Sequence, residues 1–147
     1  MRTRSRLGTL GAVVGLMVVS CGGAGSADLS LASSSLGEFL VDGDGRTLYV
    51  FLNDDQTGES VCIDECEDTW PPLTEEVTAG TGINGSLLGA GVRTDGIGQV
   101  TYNGWPLYRF SGDSEAGTTN GQGIGQVWYV VDSAGNPIGA TGYQPRG

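Results

Sequence analysis

The chain has 147 residues, no histidine and a formal charge of −10, with 17 carboxylates set against seven arginines. So acidic a surface repels phosphate backbones, which excludes nucleic-acid binding. Without His or Lys there is no Ser-His-Asp or Cys-His pair, no imidazole base and no Schiff base.

The chain opens on Arg2, Arg4 and Arg6, followed by an uncharged apolar run from Leu7 to Val19. About thirteen apolar residues fall short of the roughly 20 needed to span a bilayer. Basic stretch, apolar stretch and small residues at the cut are the order of a signal peptide. Val18-Val19-Ser20 before Cys21 resembles the lipobox of bacterial lipoproteins. That resemblance implies cleavage after Ser20, residues 1–20 being the signal, and diacylglyceryl attachment on Cys21. Acyl chains contribute about 0.8 kcal/mol per buried methylene, so two or three hold firmly. The mature chain then keeps four Arg against seventeen carboxylates, a formal charge of −13, and no Met. With neither His nor Met, and no haem-attachment motif, haem and blue-copper sites have no ligands.

From Cys21 to residue 35 the sequence is Gly, Ala and Ser with few large side chains, which reads as a flexible tether. Such a tether holds a domain about 20 Å from its anchor. Residues 36–147 suffice for one small domain. Its apolar residues fall in short runs, Thr47–Leu52, Gln99–Tyr102, Pro106–Phe110 and Gln126–Val131, each bounded by Gly, Asn, Asp or Pro. Short β-rich runs between turn signals predict an all-β fold. Asp42-Gly43-Asp44-Gly45 joins Phe39–Val41 to Thr47–Phe51, and Asn103-Gly104 joins Val100–Tyr102 to Trp105–Phe110. Both predict hairpins, the second with a favoured two-residue turn, and Pro106 puts its strand at an edge or a bulge.

The two hairpins repeat. Leu48-Tyr49-x-Phe51-x-x-Asp54-x-x-x-Gly58 recurs as Leu107-Tyr108-x-Phe110-x-x-Asp113-x-x-x-Gly117, at a constant offset of 59. On a strand, residues two apart share a face, so each copy offers the core a Tyr/Phe pair. Each Asp is placed to accept from following backbone amides, and each Gly to take positive φ. The motif therefore reads as mainly structural. The two copies closely resemble the predicted lipoproteins known as the secreted repeat of unknown function. The resemblance also rests on Cys62-x-x-x-Cys66-x-x-x-Trp70-Pro71-Pro72-Leu73, Tyr102-Asn103-Gly104-Trp105-Pro106-Leu107, Asn120-Gly121-Gln122-Gly123 and Val127-Trp128-Tyr129-Val130-Val131. It implies an envelope or secreted protein with two degenerate repeats, about 38–73 and 97–132, and no particular activity. Arg109, where the second copy often carries an aromatic residue, departs from the pattern.

Outside the cytoplasm the pair Cys62 and Cys66 favours a disulfide. A redox-active pair remains an alternative, although Asp64, Glu65, Glu67 and Asp68 disfavour thiolate; a metal site would need further ligands. Asp42, Asp44, Asn53, Asp54 and Asp55 are candidate oxygen ligands for calcium, but the spacing fits only the start of a calcium loop and lacks its terminal Glu. A hairpin turn is the more economical reading of Asp42–Gly45. Glycan hydrolysis needs two carboxylates across a sugar, and Asp54 with Asp113 is the one pair with a reason to be chosen.

These readings converge on a small single all-β domain of two degenerate β-hairpin repeats, closing as a barrel or stacking as a sandwich. Trp70, Trp105 and Trp128 are expected in its core, and a Cys62–Cys66 bridge is expected to pin the loop between the repeats. No catalytic residue, metal or cofactor is expected. The expected function is a non-catalytic binding or structural module on the outer face of the cell membrane, its partners the membrane through the lipid anchor and an envelope protein or cell-wall component. Two alternatives stand beside it: an accessory protein of envelope electron transfer or redox homeostasis, and a carboxylate-based enzyme acting on glycans.

Overall fold

The computed structural model describes residues 27–144; the signal segment, Cys21 with its lipidation, and the start of the tether lie outside the described residues. The strands in chain order are β1 (Ala27–Ser34), β2 (Gly37–Val41), β3 (Tyr49–Phe51), β4 (Val77–Ala79), β5 (Leu88–Val92), β6 (Gly98–Tyr102), β7 (Trp105–Pro106) and β8 (Trp128–Val130). The single α-helix among the described residues is α1 (Glu65–Thr69). The domain is all-β, its strands forming three small sheets ordered β2-β1-β4, β3-β8 and β5-β6-β7.

The tether reading of residues up to 35 is corrected by β1. This strand pairs antiparallel with β2 from Ser30↔Val41 to Ser34↔Gly37, and parallel with β4 from Ala27↔Val77. Small residues hid a two-residue alternation: Leu29 is fully buried and Leu31 packs against the same cluster. A strand needs only one apolar face.

Both predicted turns form, but only the second joins two strands of one sheet. β2 and β3 lie in different sheets, and across the first turn the chain is bridged at Val41 and Thr47 alone. Asp42 Oδ1 accepts from the amides of Asp44 and Arg46, both at 2.9 Å, and the Leu48 amide donates back to Leu40. Asn103 (φ 52) and Gly104 (φ 80) supply the two left-handed residues of a tight hairpin between β6 and β7, as such a turn requires. Pro106 sits on the edge strand of its sheet, where its missing amide costs no ladder bond.

The repeats meet about an approximate twofold axis. The Tyr49 amide donates to the Tyr108 carbonyl at 2.8 Å, and the Tyr108 amide to the Tyr49 carbonyl at 3.0 Å. Flanking pairs obey the same relation: Tyr49 pairs with Val130, and Tyr108 with Pro72. Two buried clusters result. One gathers Leu29, Leu40, Leu48, Val50, Leu73 and Trp105; the other gathers Tyr49, Tyr108, Trp70, Trp128, Cys62 and Phe39.

Candidate functional site

The motif residues come together in the second cluster, by exchange between repeats. Tyr49 donates its hydroxyl proton to Asp113 Oδ2 at 2.6 Å, and Tyr108 donates to Asp54 Oδ2 at 2.6 Å. Each motif Tyr is thus held by the Asp of the other copy. The second oxygen of each Asp accepts a backbone amide seven residues on, Val61 for Asp54 at 2.7 Å and Asn120 for Asp113 at 2.9 Å. The turn role expected of these carboxylates is real, but it is half of what they do. Gly58 (φ 89) and Gly117 (φ 75) take the positive φ expected of them.

Between the Tyr–Asp pairs lies a column of four rings, Phe51–Trp128–Trp70–Phe110, with centroids 4.2, 3.8 and 4.4 Å apart. The two indoles at its centre are parallel to within 2°. Tyr49 meets Trp70 edge-on at 5.3 Å and Tyr108 meets Trp128 at 5.1 Å, so these contacts match between the repeats, whereas Tyr49 alone also meets the outer ring of the other copy, Phe110, at 6.2 Å. Symmetry also fails where Cys62 in the first repeat corresponds to Gly121 in the second. A Cβ at Gly121 would lie 2.8 Å from the Trp70 ring and 2.9 Å from Tyr49, so the rings occupy the space of a side chain.

Cys62 and Cys66 are joined as a disulfide with Cα atoms 5.2 Å apart. The bridge closes the loop leading into α1, inside the first repeat rather than between repeats. So short a loop contributes about 2 kcal/mol through chain entropy. Beside it lies Arg93, buried and unremarked in the sequence. It donates to Ser60 Oγ (3.0 Å), Gln99 Oε1 (2.9 Å), the Cys62 carbonyl (2.7 Å) and Glu67 (2.6 Å). Its turn has the backbone pattern of those at Asp42 and Asp132: the first amide donates four residues on, and the fourth amide, a glycine's, donates back. That shared frame, with Arg where two other turns carry Asp, is the signal that singles it out. Ser60 Oγ receives Arg93 and lies 2.5 Å from the Tyr108 hydroxyl, which is already donating to Asp54. The donors therefore run Arg93, Ser60, Tyr108, and the chain ends on Asp54 as acceptor.

Burial pushes Asp54 up from 3.8 to about 6, while bonds from Tyr108 and Val61 and the charge of Arg93 pull the other way. Burial, together with the adjacent carboxylates, pushes both Tyr49 and Tyr108 above the ordinary phenol range. Because Asp54 binds its proton more tightly folded than unfolded, it contributes stability that is complete below about pH 4 and lost as pH rises through about 6. The melting temperature is expected to rise on going from about pH 7 to pH 5 by more in the wild type than in Asp54→Asn. Parallel profiles for the two proteins would place the titrating group elsewhere.

Two of the calcium candidates, Asp42 and Asp54, are drawn to other partners. Asp42 is buried, and its Oδ2 lies 2.6 Å from Arg109 Nε. Arg109, the departure from the family pattern, also bonds both oxygens of Glu75, at 3.2 and 3.1 Å. Among the described residues no three His, Cys, Asp or Glu side chains are grouped to hold a metal ion.

An open cleft of about 270 Å³ lies where residues 141–144 meet the edge of the repeats, its lining including Asp54, Gln56, Trp105, Thr141, Tyr143 and Gln144. Tyr143 tilts against Trp105 at 5.7 Å, and its hydroxyl lies 3.3 Å from Gln56 Oε1. Sequence patterning does not reveal this cleft, because the residues after Val131 belong to neither repeat.

Two copies of one β unit, locked by exchanged Tyr–Asp bonds and a shared aromatic column, define a double-repeat module rather than two independent domains. The chain belongs to the family described as a secreted repeat of unknown function, whose pattern matches residues 30–74 and again residues 89–132. No curated protein and no solved structure matches it. The family description points to an extracytoplasmic location. No helix among the described residues is long and apolar enough to cross a membrane.

Proposed function

We propose that this protein is a lipid-anchored, non-catalytic binding module of the cell envelope, held at the outer face of the membrane through Cys21. The observation that carries the reading is the closure of both Tyr–Asp pairs on each other inside the core. The groups most suggestive of acid–base chemistry are spent on holding the repeats together. What remains for a partner is outer surface: the cleft beside Trp105 and Tyr143, with aromatic edges and amide groups, on a strongly acidic chain. The cleft is lined mainly by polar groups, with Trp105, Leu52 and the Tyr143 ring as its apolar part, so hydrogen bonds would fix the orientation of a ligand there.

Intact mass spectrometry of the protein from native membranes tests this, under native and then denaturing conditions. The expected denatured mass is that of residues 21–147 plus acyl chains, with two thiols alkylated only after reduction. An unlipidated mass would remove the anchor, and a retained cofactor in the native spectrum would replace the binding reading.

A further inference from the structure

The aromatic core has a feature that simple packing does not require. Two phenols, both fully buried, each bond a carboxylate at 2.6 Å, and each touches one of two indoles stacked at 3.8 Å. A phenol loses an electron readily only when its proton has somewhere to go, and a carboxylate in hydrogen-bond contact is such a place. Two parallel indoles share a positive hole between them and so ease its passage. The outer rings of the column, Phe51 and Phe110, are half-buried, and both indoles are about 5% exposed, so the column reaches close to solvent.

We propose that this core traps single oxidising equivalents, the electron leaving Tyr49 by way of the Trp70–Trp128 stack as the Tyr49 proton passes to Asp113. The oxidant is a one-electron acceptor of the organic peroxyl radical class. It gains the electron to become a hydroperoxide anion, which takes a proton from water and leaves hydroxide in solution. In the protein the Tyr49 O–H bond breaks and an O–H bond forms on Asp113 Oδ2, leaving a neutral phenoxyl radical and a protonated carboxyl. The trap is independent of the lipid anchor and of the cleft beside Trp105.

Asp54 is the readier proton acceptor of the two carboxylates, but the charge near each phenol favours Tyr49 over its counterpart. Tyr108 lies at the end of the chain from Arg93 through Ser60, and a nearby cation opposes loss of an electron. Tyr49 has the amide of Gly121 at 3.1 Å besides Asp113. Arg46 reaches the main-chain carbonyl of Asp113, at 3.1 Å, rather than its carboxylate. Complete burial keeps the Tyr49 ring from meeting a second radical, so the trapped species has no partner with which to couple.

Flash photolysis with photo-oxidised tris(bipyridyl)ruthenium as the probe oxidant tests the trap on the full-length protein. Time-resolved absorption and electron paramagnetic resonance follow the radical. The wild type is expected to give a tyrosyl radical that forms more slowly in heavy water, outlives the radical of free tyrosine and leaves no dityrosine. Tyr49→Phe is expected to lose most of that signal, and Asp113→Asn, which keeps an acceptor oxygen but a far weaker base, to slow its formation. Second-order decay with dityrosine formation in the wild type overturns the proposal, and needs no variant to fold. So does a spectrum unchanged by Tyr49→Phe, or a formation rate unchanged by Asp113→Asn.

Discussion

Replacing Trp70 with Ala is expected to lower stability by about 4 kcal/mol, the cost of emptying a large aromatic site in a packed core. Trp70 touches three rings at once: Trp128 at 3.8 Å, Phe110 at 4.4 Å and Tyr49 edge-on at 5.3 Å. Each such pair contributes about 0.5–1.5 kcal/mol beyond the area it buries. Small domains have only about 5–15 kcal/mol in total, so the variant is left with about 1–11 kcal/mol and is expected to melt well below the wild type. Trp128→Ala should cost as much, since its contacts with Phe51, Tyr108 and Trp70 mirror those of Trp70. Trp105→Ala should cost less, because Tyr143 is its one ring neighbour among the described residues. Urea titration followed by circular dichroism ranks the three. A loss below about 1 kcal/mol for Trp70→Ala would move the mechanical centre of the fold away from the column.

The parts of this fold legible in the sequence are those with short-range causes. Asn103-Gly104 dictates a turn by its own backbone preferences, and the 59-residue offset exposes two copies of one unit. The cysteine spacing left a disulfide as the economical outcome. What stayed hidden depends on how the copies meet. An offset shows that two units exist, but not that they face each other about a twofold axis, and that arrangement decides that Tyr49 finds Asp113 rather than Asp54. A partial signal was present: a Tyr and an Asp retained in both copies, with no other polar residue in the matched motif, ask for partners once buried. β1 escaped for another reason. Its Ser and Ala residues carry the composition of a linker, and only Leu29 and Leu31 reveal the strand period.

Because each Asp braces the other repeat, removing one is expected to destabilise the whole domain, and Asp113→Ala more than Asp54→Ala at neutral pH. Asp113→Ala leaves the buried Tyr49 hydroxyl and the Asn120 amide without their acceptor. Stranded donors cost about 1–3 kcal/mol each, so the pair should cost about 4 kcal/mol. Asp54→Ala strands the equivalent Tyr108 and Val61 donors, but it also removes a carboxylate that burial has pushed up to about 6. Near pH 7 that carboxylate is largely ionised in a site that favours its neutral form, so deleting it relieves a cost that offsets part of the loss. Lowering the pH to about 5 protonates Asp54 in the folded wild type and adds to wild-type stability. The deficit of Asp54→Ala should then grow, narrowing its distance from Asp113→Ala. Denaturation at the two pH values, read by tryptophan fluorescence and by circular dichroism, checks both parts. The two probes should give coincident transitions for each variant, because neither repeat keeps its tyrosine braced without the other. Separate transitions would mean that the repeats fold independently and that the exchanged Tyr–Asp bonds are incidental to their union.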